Sequence, residues 1–197
     1  GDVVPKFLRL KASWIEQQLS KISPKTIMFV DEPYMTAFGS VGMQLTKEQV
    51  VGYLEETFAG IKGVKGTHCC GNTDWSILLQ TSVDIISFDT YNYAESLAIY
   101  PQEVKKFLTR GGCIAWGIIP TDAAQVARET VNSLKDRLEA AIELFVKKGI
   151  SRQQLFEQGL ITPACGLGPI GSETAAERAL QLTAELSREI RNKYQLT

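Results

Sequence analysis

Histidine is almost absent from this chain: His68 is the only one in 197 residues, so any imidazole chemistry passes through a single ring. Cysteine is sparse too. The four cysteines, at 69, 70, 113 and 165, are irregularly spaced, and the adjacent pair cannot readily bridge to itself. That sets aside a secreted disulfide framework and favours reduced thiols in a cytoplasm. No apolar run reaches the roughly 18 residues that cross a bilayer. The segment GDVVPKFLRLK carries no signal-peptide core, so the expectation is a soluble, cytoplasmic protein with no membrane partner. Blocks of like charge are missing as well: 21 basic residues stand against 22 acidic ones, for a net charge of −1, which argues against nucleic acid as a partner. No arginine occurs between Leu10 and Thr109, and no G-x-G-x-x-G follows a strand-like run. The nearest approach, Gly166-Leu167-Gly168, is a weak sign of a dinucleotide site.

What is present is an alternation of strand and helix signals. With 44% hydrophobic residues the chain can bury a core, and one domain over residues 1–197 is expected. Leu8, Leu10, Trp14, Ile15 and Leu19 recur at helical spacing over residues 7–22, and Ser23-Pro24 stops that helix. Residues 25–30 (KTIMFV) form an apolar run too short for a helix and read as a strand buried on both faces. A loop through Gly39 and Gly42 leads to Thr46-Lys47-Glu48-Gln49, a capping box that opens a helix to about residue 59. Further strands are expected at 61–66, 83–88, 113–119 and 160–164. Helices are expected at 74–79, 101–109, from Asp122 to about 148, as a turn opened by Ser151, and at about 173–193.

Five strands, each followed by a helix, predict an α/β protein with a parallel sheet, and the repeat length brackets that of a (β/α)8 TIM-type barrel. Five units are too few to close such a barrel, so the expectation is its C-terminal part. The conspicuous polar residues all fall at C-terminal strand ends: Asp31-Glu32, His68 to Cys70, Asp89, Thr121-Asp122 and Cys165. In a barrel these ends share one face.

The stretch Gly66-Thr67-His68-Cys69-Cys70-Gly71-Asn72-Thr73 carries the most chemistry. Side chains alternate along an extended segment, so His68 and Cys70 point one way and Cys69 the other. Imidazole nitrogen with thiolate sulfur suits Zn²⁺, and Cys165 becomes a third ligand if the fifth strand approaches the second. The competing reading is a buried histidine beside inert core cysteines, with Cys165 a turn cysteine packed under two glycines.

The strings HCCGNT and TPACGLGP, with a DEP motif ending an earlier strand, resemble the superfamily of cobalamin-independent methionine synthase and uroporphyrinogen decarboxylase, on the zinc thiol methyltransferase side. The resemblance runs over about residues 25–168. It implies that His68, Cys70 and Cys165 hold Zn²⁺, that the substrate is a small thiol such as homocysteine, and that the methyl donor is a methyl-folate or a methylcorrinoid, the latter on a carrier protein. Asp31 matches the family aspartate that takes the amino group of an amino-acid thiol. Asp89 stands where methionine synthase has a glutamate ligand; being one methylene shorter, it is either a ligand, a partner of a ligand, or a cap for the next turn. Trp116 and Tyr91 are expected to wall the pocket ahead of Trp75 and Tyr93, although aromatics near strand ends are often core. A homo-oligomer is compatible with the open strand count. Alternatives are a metal-free decarboxylase-like enzyme, which the missing arginines disfavour, and a zinc- or corrinoid-binding module without catalysis.

Overall fold

The computed structural model describes residues 3–41 and 44–196; Gly42, on the expected loop, lies outside them. A helix α1 (Val3–Leu19) leads into β1 (Ile27–Asp31), a 3-10 turn (Pro33–Ala37) and α2 (Lys47–Phe58). Then follow β2 (Val64–Cys69), α3 (Trp75–Leu79), β3 (Ile85–Phe88), α4 (Thr90–Ala98), α5 (Pro101–Thr109) and β4 (Cys113–Ile119). After α6 (Ala123–Val126), α7 (Val131–Val146) and α8 (Arg152–Glu157) come β5 (Gly159–Pro163), a 3-10 turn (Gly168–Ile170) and α9 (Glu173–Tyr194).

The first strand is not buried on both faces as expected, since Ile27 and Phe29 are exposed on one of them, and three further expectations need correction. The second strand runs three residues later than 61–66, because the tight turn at Gly60 and Ile61 ends α2 and Val64 is the first residue to pair with β1. His68 and Cys69 therefore belong to the strand itself. The long helix from Asp122 to about 148 is two helices: Thr130 has extended backbone and caps a new start, accepting from the Ser133 amide while the Ser133 side chain bonds back. A helix also begins directly after Asp89, where the run Thr-Tyr-Asn-Tyr has low helix propensity. It forms because the Asp89 carboxylate accepts from the Asn92 amide.

All five strands are parallel and lie in chain order, β1-β2-β3-β4-β5, without the reversal that marks a doubly wound sheet. Among the described residues β1 and β5 each keep one edge unpaired, so the sheet is open. One face carries the helices. On that face Trp75, Phe88, Trp116 and Phe145 meet in successive edge-to-face contacts with centroids 5.3–5.8 Å apart, the arrangement aromatic quadrupoles favour. The other face bears Phe29, Asp31, Gly66, His68, Ile85 and Ser87. Its margins are wet, with Ile27, Phe29, Val64 and Leu160 all about half exposed, while Ile85, Ser87 and Ala115 in its middle are buried. Gly66 has no side chain, and a Cβ there would sit 2.5 Å from the Phe29 ring, which lies across it.

Helix α1 is tied on by Glu16. Its carboxylate accepts from the amides of Lys62 and Gly63 and from the Thr26 hydroxyl at 2.7–2.8 Å. Along its outer side Val3, Phe7, Leu10 and Trp14 form an exposed stripe with spacings of four, three and four residues. No described helix is long and apolar enough to cross a membrane.

Candidate metal centre

His68 and Cys70 come from the end of β2, and Cys165 from the turn after β5. Although two strands separate β2 from β5, one nitrogen of His68 and the sulfurs of Cys70 and Cys165 all lie within 4.8 Å of one another. The β4 and β5 backbones make this meeting feasible. Their pairing shifts register between Gly117 and Ile119, and the Ala164 amide bonds to the Ile119 carbonyl at 2.8 Å. Gly117 permits that approach, since a Cβ there would meet the Phe88 carbonyl oxygen at 2.4 Å and the Ala164 Cα at 2.9 Å. The chain is thereby turned toward the strand ends just before Cys165. Cys69 behaves as strand alternation requires, being wholly buried among the core side chains.

The imidazole is held from the side. His68 and Ser87 are register partners on β2 and β3, and His68 Nδ1 lies 2.9 Å from Ser87 Oγ. Nε2 is buried and has no hydrogen-bond partner among the described residues. Burial pushes the imidazole pKa below its ordinary value, against the opposing pull of the Asp31 and Asp89 carboxylates, and so favours the neutral ring. The Cys70 thiol is pushed up by burial and then by the neighbouring Cys165 sulfur. An imidazole with an orphaned nitrogen beside two cysteine sulfurs is a donor set that a soft, tetrahedral cation such as Zn²⁺ satisfies. All four cysteine thiols are free.

Asp31 ends β1 opposite His68 in register and is exposed at the mouth. Its neighbour Glu32 is half-buried, and burial, followed by the Asp31 charge, pushes its carboxyl up to about 7. Asp89 is the cap of α4: its two oxygens accept from the Asn92 amide at 2.9 Å and the Asn92 side-chain amide at 2.7 Å. It stands outside the group of three, although its charge reaches both His68 and Cys70.

The aromatic expectations do not hold. Trp116 is fully buried on the helix-bearing face between Phe88 and Phe145, because its even-numbered position on β4 turns it away from the face carrying His68. Trp75 is likewise core. Tyr91 is occupied in helix packing: its hydroxyl donates to Glu129 at 2.7 Å and Arg137 covers its ring at 4.2 Å. Tyr93 is half-exposed at a kink inside α4. Of the residues beside the site, Ser87 was not singled out in the sequence, and Glu32 was noted only together with Asp31. Ser87 was findable, standing two positions before Asp89 on the same strand face. Glu32 gave no separate signal beside Asp31.

No family model matches the chain, and no curated protein matches it. Among solved structures it is similar to a B12-independent methionine synthase from Shewanella sp. W3-18-1, solved in complex with selenomethionine, at a TM-score of 0.64 and 19% identity over 94% of this chain. The chain spans about half of that protein, 54% of its length. At that identity the likeness speaks to the fold: these five parallel βα units are arranged as in a part of a methionine synthase.

Proposed function

We propose that the protein transfers a methyl group to a thiol at a zinc held by His68, Cys70 and Cys165, on the C-terminal part of a (β/α)8-type barrel. The observation that carries the reading is the convergence of those three side chains within 4.8 Å, with His68 Nε2 buried and unpartnered. Three protein ligands leave a tetrahedral position open, which distinguishes a catalytic from a structural site. Zinc, when bound there, lowers the pKa of a thiol in that open position so that it is a thiolate at neutral pH.

The chain's own residues do the rest. His68 supplies a neutral nitrogen, and two thiolates offset the cation's charge. Asp31, exposed next to His68, is placed to receive the ammonium of an amino-acid thiol such as homocysteine. Asp89 fixes the start of α4 and adds negative potential beside the thiols without ligating. The shared fold with a B12-independent methionine synthase supports the methyl-transfer class; the donor, a methyl-folate or a methylcorrinoid on a carrier, is carried by the sequence resemblance alone.

The test is elemental analysis of the reduced protein, followed by methyl transfer from methylcobalamin or methyl-folate to homocysteine or coenzyme M. About one zinc per chain and thiol-dependent proton release are expected. Zinc without proton release on adding either thiol would reduce the site to a structural one.

A further inference from the structure

We propose that Ser87 is a positioning residue for the metal centre: it holds His68 in the tautomer that leaves Nε2 free to ligate. The inference rests on the metal reading above and extends it to a residue outside the ligand set.

A neutral imidazole carries one N–H, and the partner of one nitrogen decides which nitrogen keeps the lone pair. His68 Nδ1 has Ser87 Oγ at 2.9 Å, and this is the only side-chain hydrogen bond described for either group. When Nδ1–H donates to Oγ, the buried Nε2 keeps its lone pair, with no partner among the described residues. When Oγ–H donates to Nδ1 instead, Nε2 carries the proton and a cation is shut out. A serine hydroxyl rotates between these roles at little cost, so a cation selects the first arrangement and Ser87 then steadies it. The serine is itself confined. It is 7% exposed, paired in register with His68, and fixed by β3 between Ile86 and Phe88, both rooted in the core on the opposite face. Alanine would leave Nδ1 buried with no partner and the ring free to turn about its side-chain bonds. Partners of this kind on a ligating histidine are typically worth about 10- to 100-fold in metal affinity.

His68 is the only histidine, so a protein with ¹⁵N-labelled imidazole gives the signals of one ring without assignment. The experiment combines that spectrum with zinc affinity measured by competition against a chromogenic chelator. In zinc-loaded wild type, Nδ1 is expected to carry the proton and Nε2 the metal. Ser87→Ala should weaken zinc about 10- to 100-fold and, with the ring free to turn, let the metal distribute between Nε2 and Nδ1, and Ser87→Thr, which keeps the hydroxyl, should recover most of the affinity and the single metallated nitrogen. A wild-type spectrum with the metal on Nδ1 overturns the proposal even where the alanine variant does not fold, as does an alanine variant with unchanged affinity. Wild type and variants that all fail to take up zinc overturn the metal reading and this proposal with it, a result distinct from either of those.

Discussion

Cys70 and Cys69 are adjacent in sequence and opposite in role, so replacing each with serine separates ligand from core. Cys70→Ser removes a sulfur from the cluster and should cost most of the bound zinc in elemental analysis; Cys69→Ser should leave zinc content near one per chain while lowering the unfolding midpoint, since it replaces a wholly buried sulfur packed in the core with a smaller, more polar group. Equal zinc loss from both would mean that the fork has been misread. Asp31→Asn should keep the metal and weaken homocysteine by about 1–3 kcal/mol in calorimetry, the scale of a lost charge-assisted bond. Coenzyme M, a sulfonate without an amine, should be indifferent. Homocysteine binding untouched by that change would sink the amino-acid-thiol reading. The faces of these residues were legible from strand alternation, a rule that holds for His68, Cys69 and Cys70 alike. The roles of the aromatics were not: Trp116 has the right composition for a pocket wall, and only its position relative to Phe88 and Phe145 shows that it faces the helices.

At the scale of elements, the Glu16 tie makes an acid-sensitive joint. Burial raises its carboxyl pKa, but the amides of Lys62 and Gly63 and the Thr26 hydroxyl outweigh that, leaving it below its ordinary value of 4.5. A depressed carboxyl contributes stability that is full above the unfolded pKa and lost as pH falls through the folded one. Glu16→Gln should therefore lower stability by about 1.5–3 kcal/mol at pH 7, with the gap to wild type narrowing below about pH 4.5, as read from urea midpoints across that range. A gap independent of pH would show that the charge does not matter to the joint. Helix starts were legible where capping chemistry is local: Thr46 with Gln49 forms the full reciprocal box, and Ser151 accepts from the Gln154 amide. The start at Thr130 was hidden because serine stands where a box usually has glutamate or glutamine. That of α4 was hidden because a single carboxylate overrides poor propensity.

For the whole molecule, the free edges of β1 and β5, the half-exposed Ile27, Phe29, Val64 and Leu160, and the stripe Val3, Phe7, Leu10 and Trp14 together form an unusual amount of uncovered apolar surface. These 197 residues on their own should associate with rising concentration in sedimentation velocity, and Phe7→Lys with Trp14→Lys should shift them toward the monomer. A monomer at every concentration would show that these surfaces are not sticky. Five parallel βα units were readable from the alternation of apolar runs and breakers, because each unit is local. The nearness of Cys165 to His68 was not readable from that alternation and came only through the family resemblance, since it depends on how β3 and β4 carry β5 around, and on a register break that no short-range pattern announces. That arrangement also has a consequence in time. A ribosome makes the chain from one end, and the first two proposed ligands emerge nearly a hundred residues before the third. A nascent chain stalled anywhere between them holds an incomplete fork, which grips a metal weakly. On the proposed zinc reading, firm capture must wait until β5 has been made and docked, so zinc retention would report that every intervening crossover is in place, with the metal as the seal on a finished product rather than the seed of its folding.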